Sequence, residues 1–416
     1  MNQQQKASFN FPLILITSLF FLWALAHNLN PILIPHLKKA CTLTDFQSAL
    51  IDSSFFIAYF VMALPAGFIM RRYGYKTGIV TGLLLFATGA FLFYPAASVL
   101  SFASFLCALF VIASGLTFLE TAANPYVTIL GSKDSATQRL NFAQSFNGLG
   151  ASIAAWAGGK FILSGKHLSE SEIASMTPDA LHQYYINEAS SVQMPYLIIG
   201  GVVLAVALLF MATKLPDIYE EHPPKFSLHI ITRHQHLRNG IIAQFFYVGA
   251  QVSVGSFFIR FLYQSAQIDE KAAAGYLAIA LLLFMIGRFA GTFLMQFIQP
   301  QKLLSVYSVV NVLLLAYAIT SKGITTVYAL MAVEFFMSIM FPTIFSLSIK
   351  NLGSDTKLAS SFIIMSIVGG AFCPLALGKI SDLTNVQTAY VVPLTCFLVV
   401  LWFGVKGFRL AKADQD

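Results

Sequence analysis

Charge is the scarcest thing in this chain. Acidic and basic residues together make up 10% of its 416 positions, against roughly 25% in an average soluble domain, while 57% of positions are hydrophobic and the mean hydropathy is +0.73. That scarcity removes soluble enzymes and soluble binding domains from the readings. The net charge of +7 does not point to nucleic acid, because the basic residues stand singly between apolar runs and form no stripe or aromatic-interleaved patch. Cysteine is scarce too: Cys41, Cys107, Cys373 and Cys396 have no paired spacing, and three lie in apolar runs, so neither a disulfide framework nor a metal centre is expected. Motifs for covalent chemistry are missing. There is no P-loop, no H-E-x-x-H helix and no serine nucleophile elbow, so the reading is not an enzyme, has no cofactor and does not use ATP. Work done by such a chain must draw on an ion gradient, where one charge crossing the membrane potential releases about 2.3 kcal/mol per 100 mV.

What the chain has in abundance is apolar runs long enough to cross a bilayer, for which about 20 residues suffice. Twelve are placed, at 11–34, 48–70, 77–97, 100–130, 141–164, 192–213, 239–262, 272–297, 302–320, 324–349, 358–379 and 386–407. The fold class is therefore an all-α polytopic membrane protein with twelve transmembrane helices. Lys6 before an apolar run and Ala24-Leu25-Ala26 after it resemble a cleaved signal, but the run is long and apolar sequence continues, so the first span is read as retained. With the N-terminus inside, sixteen Lys and Arg fall in cytoplasmic segments and eight on the opposite side, leaving Arg288 within a span. This bias is the positive-inside signature and predicts both termini cytoplasmic. Ser164–Ser191 is polar and acidic and falls outside. The segment 214–238, with Pro216, Pro223 and Pro224, divides the spans six and six, giving halves at 1–213 and 239–416 joined by a cytoplasmic linker.

One carboxylate at membrane depth dominates the functional reading. Glu120 lies in L-E-T-A-A-N-P (Leu119 to Pro125), inside an apolar stretch with no basic residue. A charge there costs about 2.5–3.5 kcal/mol on insertion scales, so the expected role is a proton or substrate site facing a polar cavity. Thr117, Glu120, Thr121, Asn124 and Thr128 recur at three- and four-residue spacing and define a polar helix face. Pro125 removes a backbone donor and is expected to bend the helix near Thr121.

Other polar groups join it. Span five carries Asn141, Gln144, Ser145 and Asn147, amides that suit a ring of sugar hydroxyls or hydrogen bonding between helices. Span one carries His27, Asn28 and Asn30 before Pro31; His27 titrates near neutral pH and is a proton-carrier candidate beside the plainer reading of a core histidine. Gln244, Tyr247 and Gln251 form a stripe on span seven whose aromatic ring could stack on a sugar. Asp52, near the outer end of span two, is a further coupling candidate. Arg288 and Glu334 are buried charges of opposite sign that could pair. Gly67 to Lys76 reads G-F-I-M-R-R-Y-G-Y-K: Gly67 allows close helix approach, and Arg71 and Arg72 can meet carbonyls at helix C-termini and hold one conformational state.

That loop is similar to the G-x-x-x-(D)-R-x-G-R-x loop of the major facilitator superfamily, with Arg71 where the aspartate would stand. Longer strings carry a sharper resemblance: Leu19–Asn30, Leu119–Thr128, Arg139–Asn147, Ala243–Gln251, Ile286–Thr292 and Phe341–Gly353. Taken in order over nearly the whole chain, they resemble the fucose–galactose–glucose:proton symporter family within that superfamily. The resemblance implies two six-helix bundles, a central sugar cavity and proton-coupled uptake by a monomer in the bacterial inner membrane. It also implies that Glu120 is the cavity carboxylate, with Asn28, Gln144 and Asn147 as neighbours of the sugar. One position departs: the family string N-L-N-D-I-L carries an aspartate to which the proton is assigned, and Pro31 stands in its place here. The partners expected are a monosaccharide, a proton and the bilayer, with no nucleic acid. A sodium-coupled or uncoupled sugar carrier (N-acetylglucosamine included), a sugar sensor that does not transport, and an exporter of lipophilic compounds stay open beside it.

Overall fold

A computed structural model describes residues 14–24, 37, 41, 45–161, 176–190, 192–213, 215 and 229–410. Every regular element among them is helical, as a chain with no water to satisfy its backbone in the bilayer requires. The expected spans are all found. The first is described over Ile14–Ala24. Spans two and three form one helical run, Asp45–Ser98, broken only at Gly74. Span four is Phe102–Ile129, span five Ala136–Phe161 and span six Gln193–Ala212. Span seven is Gln235–Ala266, span eight Glu270–Leu294 and span nine Pro300–Thr320. Span ten divides into Ile324–Met337 and Met340–Ser348, span eleven into Thr356–Met365 and Gly369–Leu383, and span twelve into Val386–Ala389 and Val391–Trp402. Among the described residues, two α-helices lie outside the spans: Pro178–Ser190 in the acidic loop and His229–Arg233 in the linker.

Proline sets the breaks in spans ten and twelve. A helical proline clashes with the carbonyl four residues back and cannot donate to it. Pro342 acts on Ser338, where span ten divides, and Pro393 acts on Ala389, where span twelve divides. Pro125, in contrast, sits inside an unbroken span four. The turn between spans two and three is tighter than expected, with Gly74 at φ 86 as the whole connection. That left-handed backbone is open to glycine and costly for other residues.

The basic residues at this end of the molecule cap helices. Lys76 donates to the Met211 and Thr213 carbonyls at the close of span six, both at 2.9 Å. Arg139 donates to the carbonyls of Val127 at 3.3 Å and of Thr128 and Ser132 at 2.8 Å, and reaches the Ser135 hydroxyl, gathering the turn between spans four and five. Both place a cation against helix C-terminal carbonyls, where the macrodipole favours it. Lys76, from the same loop, makes the kind of contact expected there. Arg71 lies over the Phe68 ring and the exposed Arg72 over that of Tyr73.

The same end joins the two halves. Thr137 and Ser346 share a hydrogen bond of 2.8 Å, Asn141 Nδ2 donates to Thr343 Oγ1 at 3.2 Å, and Gln138 Nε2 reaches the Thr292 carbonyl at 3.4 Å. Lys357 of span eleven lies over the Tyr75 ring, 5.3 Å from its centroid. Gly67 packs directly on Ser361 of span eleven: a Cβ added there would collide with the Ser361 hydroxyl and stand 3.1 Å from its Cβ. Gly67→Val is therefore expected to destabilise the protein by about 1–3 kcal/mol through overpacking, with Ser361→Gly restoring part of the loss; unfolding midpoints in detergent for the single and double variants measure both.

Candidate functional site

Span four is apolar and buried through most of its length, and its polar residues behave in two ways. Thr117 Oγ1 donates to the Ala113 carbonyl at 2.7 Å, Thr121 Oγ1 to the Thr117 carbonyl at 2.6 Å and Thr128 Oγ1 to the Pro125 carbonyl at 2.7 Å. These hydroxyls are satisfied by their own helix, as serine and threonine in such helices commonly are. The polar face expected from spacing therefore narrows to Glu120 and Asn124, four residues apart on one side.

Glu120 is half-buried, and the Tyr59 hydroxyl of span two donates to its Oε1 at 2.6 Å. No ion pair reaches it among the described residues. The carboxyl thus has one neutral donor and no cation, so the bilayer interior penalises its charged form and leaves a proton as the group that removes the penalty. Tyr59 was not visible as its partner in the sequence, because the two stand 61 positions apart; the available signal was a phenol in the middle of an apolar span, a ring that needs a hydrogen-bond partner when buried.

One helical turn along, Asn124 is fully buried. Its Oδ1 accepts from Gln144 Nε2 of span five at 3.0 Å, and its own Nδ2 has no partner among the described residues. A buried amide donor left unmet costs about 1–3 kcal/mol, which marks this position as one awaiting an acceptor. The main chain of Gln144 carries the connection further: its carbonyl accepts from Arg288 Nη1 at 2.8 Å. Arg288, 4% exposed on span eight, also donates through Nε to the Ser338 carbonyl at 2.8 Å and lies over Phe284, 4.6 Å from the ring centroid. The Ser338 carbonyl is the one that Pro342 takes out of the helix ladder, so a proline in span ten prepares the acceptor for an arginine in span eight. Amides and guanidinium form one sequence of contacts from Asn124, one turn from Glu120, to the junction between the halves.

The expected pairing of Arg288 with Glu334 is not formed. Both are buried, but no ion pair joins them, because the guanidinium is committed to two main-chain carbonyls. On span seven, Tyr247 donates its hydroxyl to the Met337 carbonyl at 3.0 Å, so it braces span ten. Gln244 is fully buried with neither amide atom partnered, while Gln251 and Asn147 are half-buried. His27, Asn28, Asn30 and Pro31 lie outside the described residues, as does the side chain of Asp52, whose backbone is helical. No group of three or more His, Cys, Asp or Glu side chains gathers in a metal-holding arrangement among the described residues. Cys373 and Cys396 are free thiols with sulfurs 4.0 Å apart.

Comparison with known proteins agrees with this architecture. The sequence pattern of the Major Facilitator Superfamily matches residues 14–366. The chain is 44% identical over 409 residues to the L-fucose-proton symporter of Escherichia coli K12, covering 96% of this chain and 93% of that protein. It is 40% identical over 408 residues to the glucose/galactose transporter of Brucella abortus, covering 97% and 96%. Among solved structures, the FucP transporter in the outward conformation superposes with a TM-score of 0.89 at 44% identity, covering 96% of this chain and 99% of that one. This multi-pass membrane protein, with its twelve spans and their order, belongs to the major facilitator superfamily, a family of transporters and not of enzymes.

Proposed function

We propose that the chain imports a monosaccharide, L-fucose or a related hexose such as galactose or glucose, together with protons, by alternating access. The observation that carries this reading is the half-buried Glu120 carboxyl, held among the described residues by one neutral phenol with no cation, one turn from an amide whose donor is unmet there. Protonating Glu120 removes a charge from the dry, occluded intermediate, and a sugar hydroxyl accepting from Asn124 favours the same compact state. Each ligand then raises the affinity of the other by linkage. The relatives named for fucose and for glucose/galactose support a hexose.

Asn124, Gln144 and Asn147 contact the sugar from the N-terminal half, Gln251 and Gln244 face it from span seven, and the family resemblance adds Asn28. Hydrogen bonds between the halves gather at the basic end, as expected of an outward-facing state closed toward the cytoplasm. The protein works as a monomer in the bacterial inner membrane with both termini inside, and the ion gradient replaces any cofactor. Pro31 favours one competing reading, coupling to sodium or to no ion, since it stands where the family string has an acid.

A competition panel separates these. Uptake of labelled fucose, galactose, glucose and N-acetylglucosamine into proteoliposomes is expected to be driven by an inward pH gradient and to collapse on adding a protonophore. Uptake that follows a sodium gradient with no pH gradient would replace the proton by sodium, and binding with no time-dependent uptake would make the chain a sensor.

A further inference from the structure

The carboxyl that carries the scheme above has one hydrogen-bond partner among the described residues, and that partner is a phenol. Tyr59 of span two is 4% exposed, and its hydroxyl donates to Glu120 Oε1 at 2.6 Å. An O–H on a carboxylate oxygen stands at about 2.5–2.7 Å, and such a bond is roughly twice as strong as one to a neutral acceptor. The contact therefore favours the ionised carboxyl over the protonated one. It works against the bilayer interior, which favours the proton.

The ring has little freedom to leave. Its hydroxyl goes where the buried ring points, and the helix that carries it is held on both sides of Tyr59. One turn before it, Phe56 rests on Gly370 of span eleven, where an added Cβ would stand 2.7 Å from the Phe56 ring. Further along, Gly67 packs on Ser361 of the same span. Tyr59 and Glu120 themselves belong to one six-helix half, on spans two and four, which pack together. When the halves rock against each other, the bond travels with that half and acts on the carboxyl in both states.

Among the described residues, the charged groups on the elements packed against spans two and four are used elsewhere. Lys76 holds the span six carbonyls, Arg71 and Arg72 lie over rings, and Arg139 gathers its own turn. Lys357 of span eleven lies over Tyr75, while Lys379 and Asp382 stand near the outer end of that span. Asp179 belongs to the helix of the outer loop. Span six and Met340–Ser348 carry no charge.

We propose that Tyr59 is the positioning residue for the proton of Glu120. Its bond onto the carboxylate lets this carboxyl release a proton in a chain that has Pro31 where the family string has an aspartate; this rests on the sugar:proton reading. At release the Glu120 O–H bond breaks and the proton passes to water in the open cavity. Tyr59 keeps its own proton and donates to the carboxylate. On reloading, water returns a proton to Glu120 and the phenol bond weakens to that of a neutral pair. One proton moves per sugar, on Glu120 alone.

Tyr59→Phe keeps the buried ring and removes the hydroxyl. The full chain in proteoliposomes is assayed for counterflow of labelled L-fucose, D-galactose and D-glucose over a pH series, with equal pH on both sides. Counterflow falls as the carboxyl loses its proton, and the pH of half-activity is expected to rise by about one unit in Tyr59→Phe. Net uptake driven by an inward pH gradient slows in that variant and recovers when the receiving side is made more alkaline. With 3-fluorotyrosine at position 59, a stronger donor of nearly the same shape, the half-activity pH moves down; this protein carries the test if Tyr59→Phe does not fold. A phenol that only braces spans two and four changes activity without moving these pH values, and unmoved values overturn the proposal. If no probe crosses, or transport ignores pH, the sugar:proton reading has failed instead. Infrared titration of the purified proteins then decides, on the protonated-carboxyl band that Glu120→Gln removes. Persistence of that band to higher pH in Tyr59→Phe supports the proposal, and equal titrations overturn it.

Discussion

Glu120→Gln abolishes uphill accumulation of sugar under a pH gradient while exchange of sugar between the two faces of the membrane continues. Glutamine keeps the size of the protonated acid, and it can keep the Tyr59 contact by accepting from the hydroxyl at the same 2.6 Å site. What it cannot do is release a proton. A carrier fixed in its neutral form still passes through the occluded state with sugar bound, so counterflow persists. It has no means of storing the gradient. One proton per sugar is worth about 1.4 kcal/mol per pH unit, a tenfold accumulation ratio, and the variant is expected to reach a ratio of about one on the same basis. Parallel assays of counterflow and of pH-driven accumulation in one vesicle preparation check the two halves of this expectation. A variant that concentrates sugar as well as the unmodified protein removes Glu120 from the coupling role.

The second large effect is at Arg288. Its two bonds to the Gln144 and Ser338 carbonyls lie in a buried site, and hydrogen bonds to a charged group contribute about 1.5–3 kcal/mol each. Arg288→Met keeps the stem over Phe284 and removes both bonds. Of these two, the bond to Gln144 is the one that joins the halves, so losing it weakens the described state relative to the opposite one by at least that amount, roughly tenfold or more in population. Thr137 and Ser346, now hydrogen-bonded across the junction, become reachable from the basic side. A cysteine placed at Ser346 should be labelled faster by a membrane-impermeant reagent from that side in Arg288→Met than in the parent, with net uptake reduced tenfold or more. Arg288→Lys is expected to recover only part, since an ammonium lacks the fork that spans two carbonyls. Equal labelling and equal uptake would show that the guanidinium does not hold the junction.

Much of the fold was legible because the bilayer restricts the choices. Apolar length marked the spans, and most ends agree within a few residues; span five begins earlier, at Ala136, since its first turn is polar through contact with the other half instead of exposure to lipid. The internal breaks needed more than hydropathy. Pro342 and Pro393 announce them in the sequence, but what the freed Ser338 carbonyl does depends on Arg288, in a different span. The same limit applies at the site. Spacing put Thr117 and Thr121 on a polar face, whereas their hydroxyls turn back to their own helix and leave Glu120 and Asn124. The Asn124–Gln144 contact was foreshadowed by amides on adjacent spans; Tyr59 at Glu120 was not, because pairing across distant spans leaves no local pattern. Opposite charge suggested Arg288 with Glu334, and the structure instead spends the cation on carbonyls, which bind it without a second ion to desolvate.

Sugar-dependent proton flux tests the account most directly. Proteoliposomes holding the full chain and a trapped pH dye, with no sodium and no imposed gradient, are mixed with the sugar that wins the competition panel. The account predicts that the lumen acidifies as the sugar enters, that a protonophore removes the signal, and that Glu120→Gln shows sugar exchange with no acidification. Sugar entering the unmodified protein with no proton movement would contradict it.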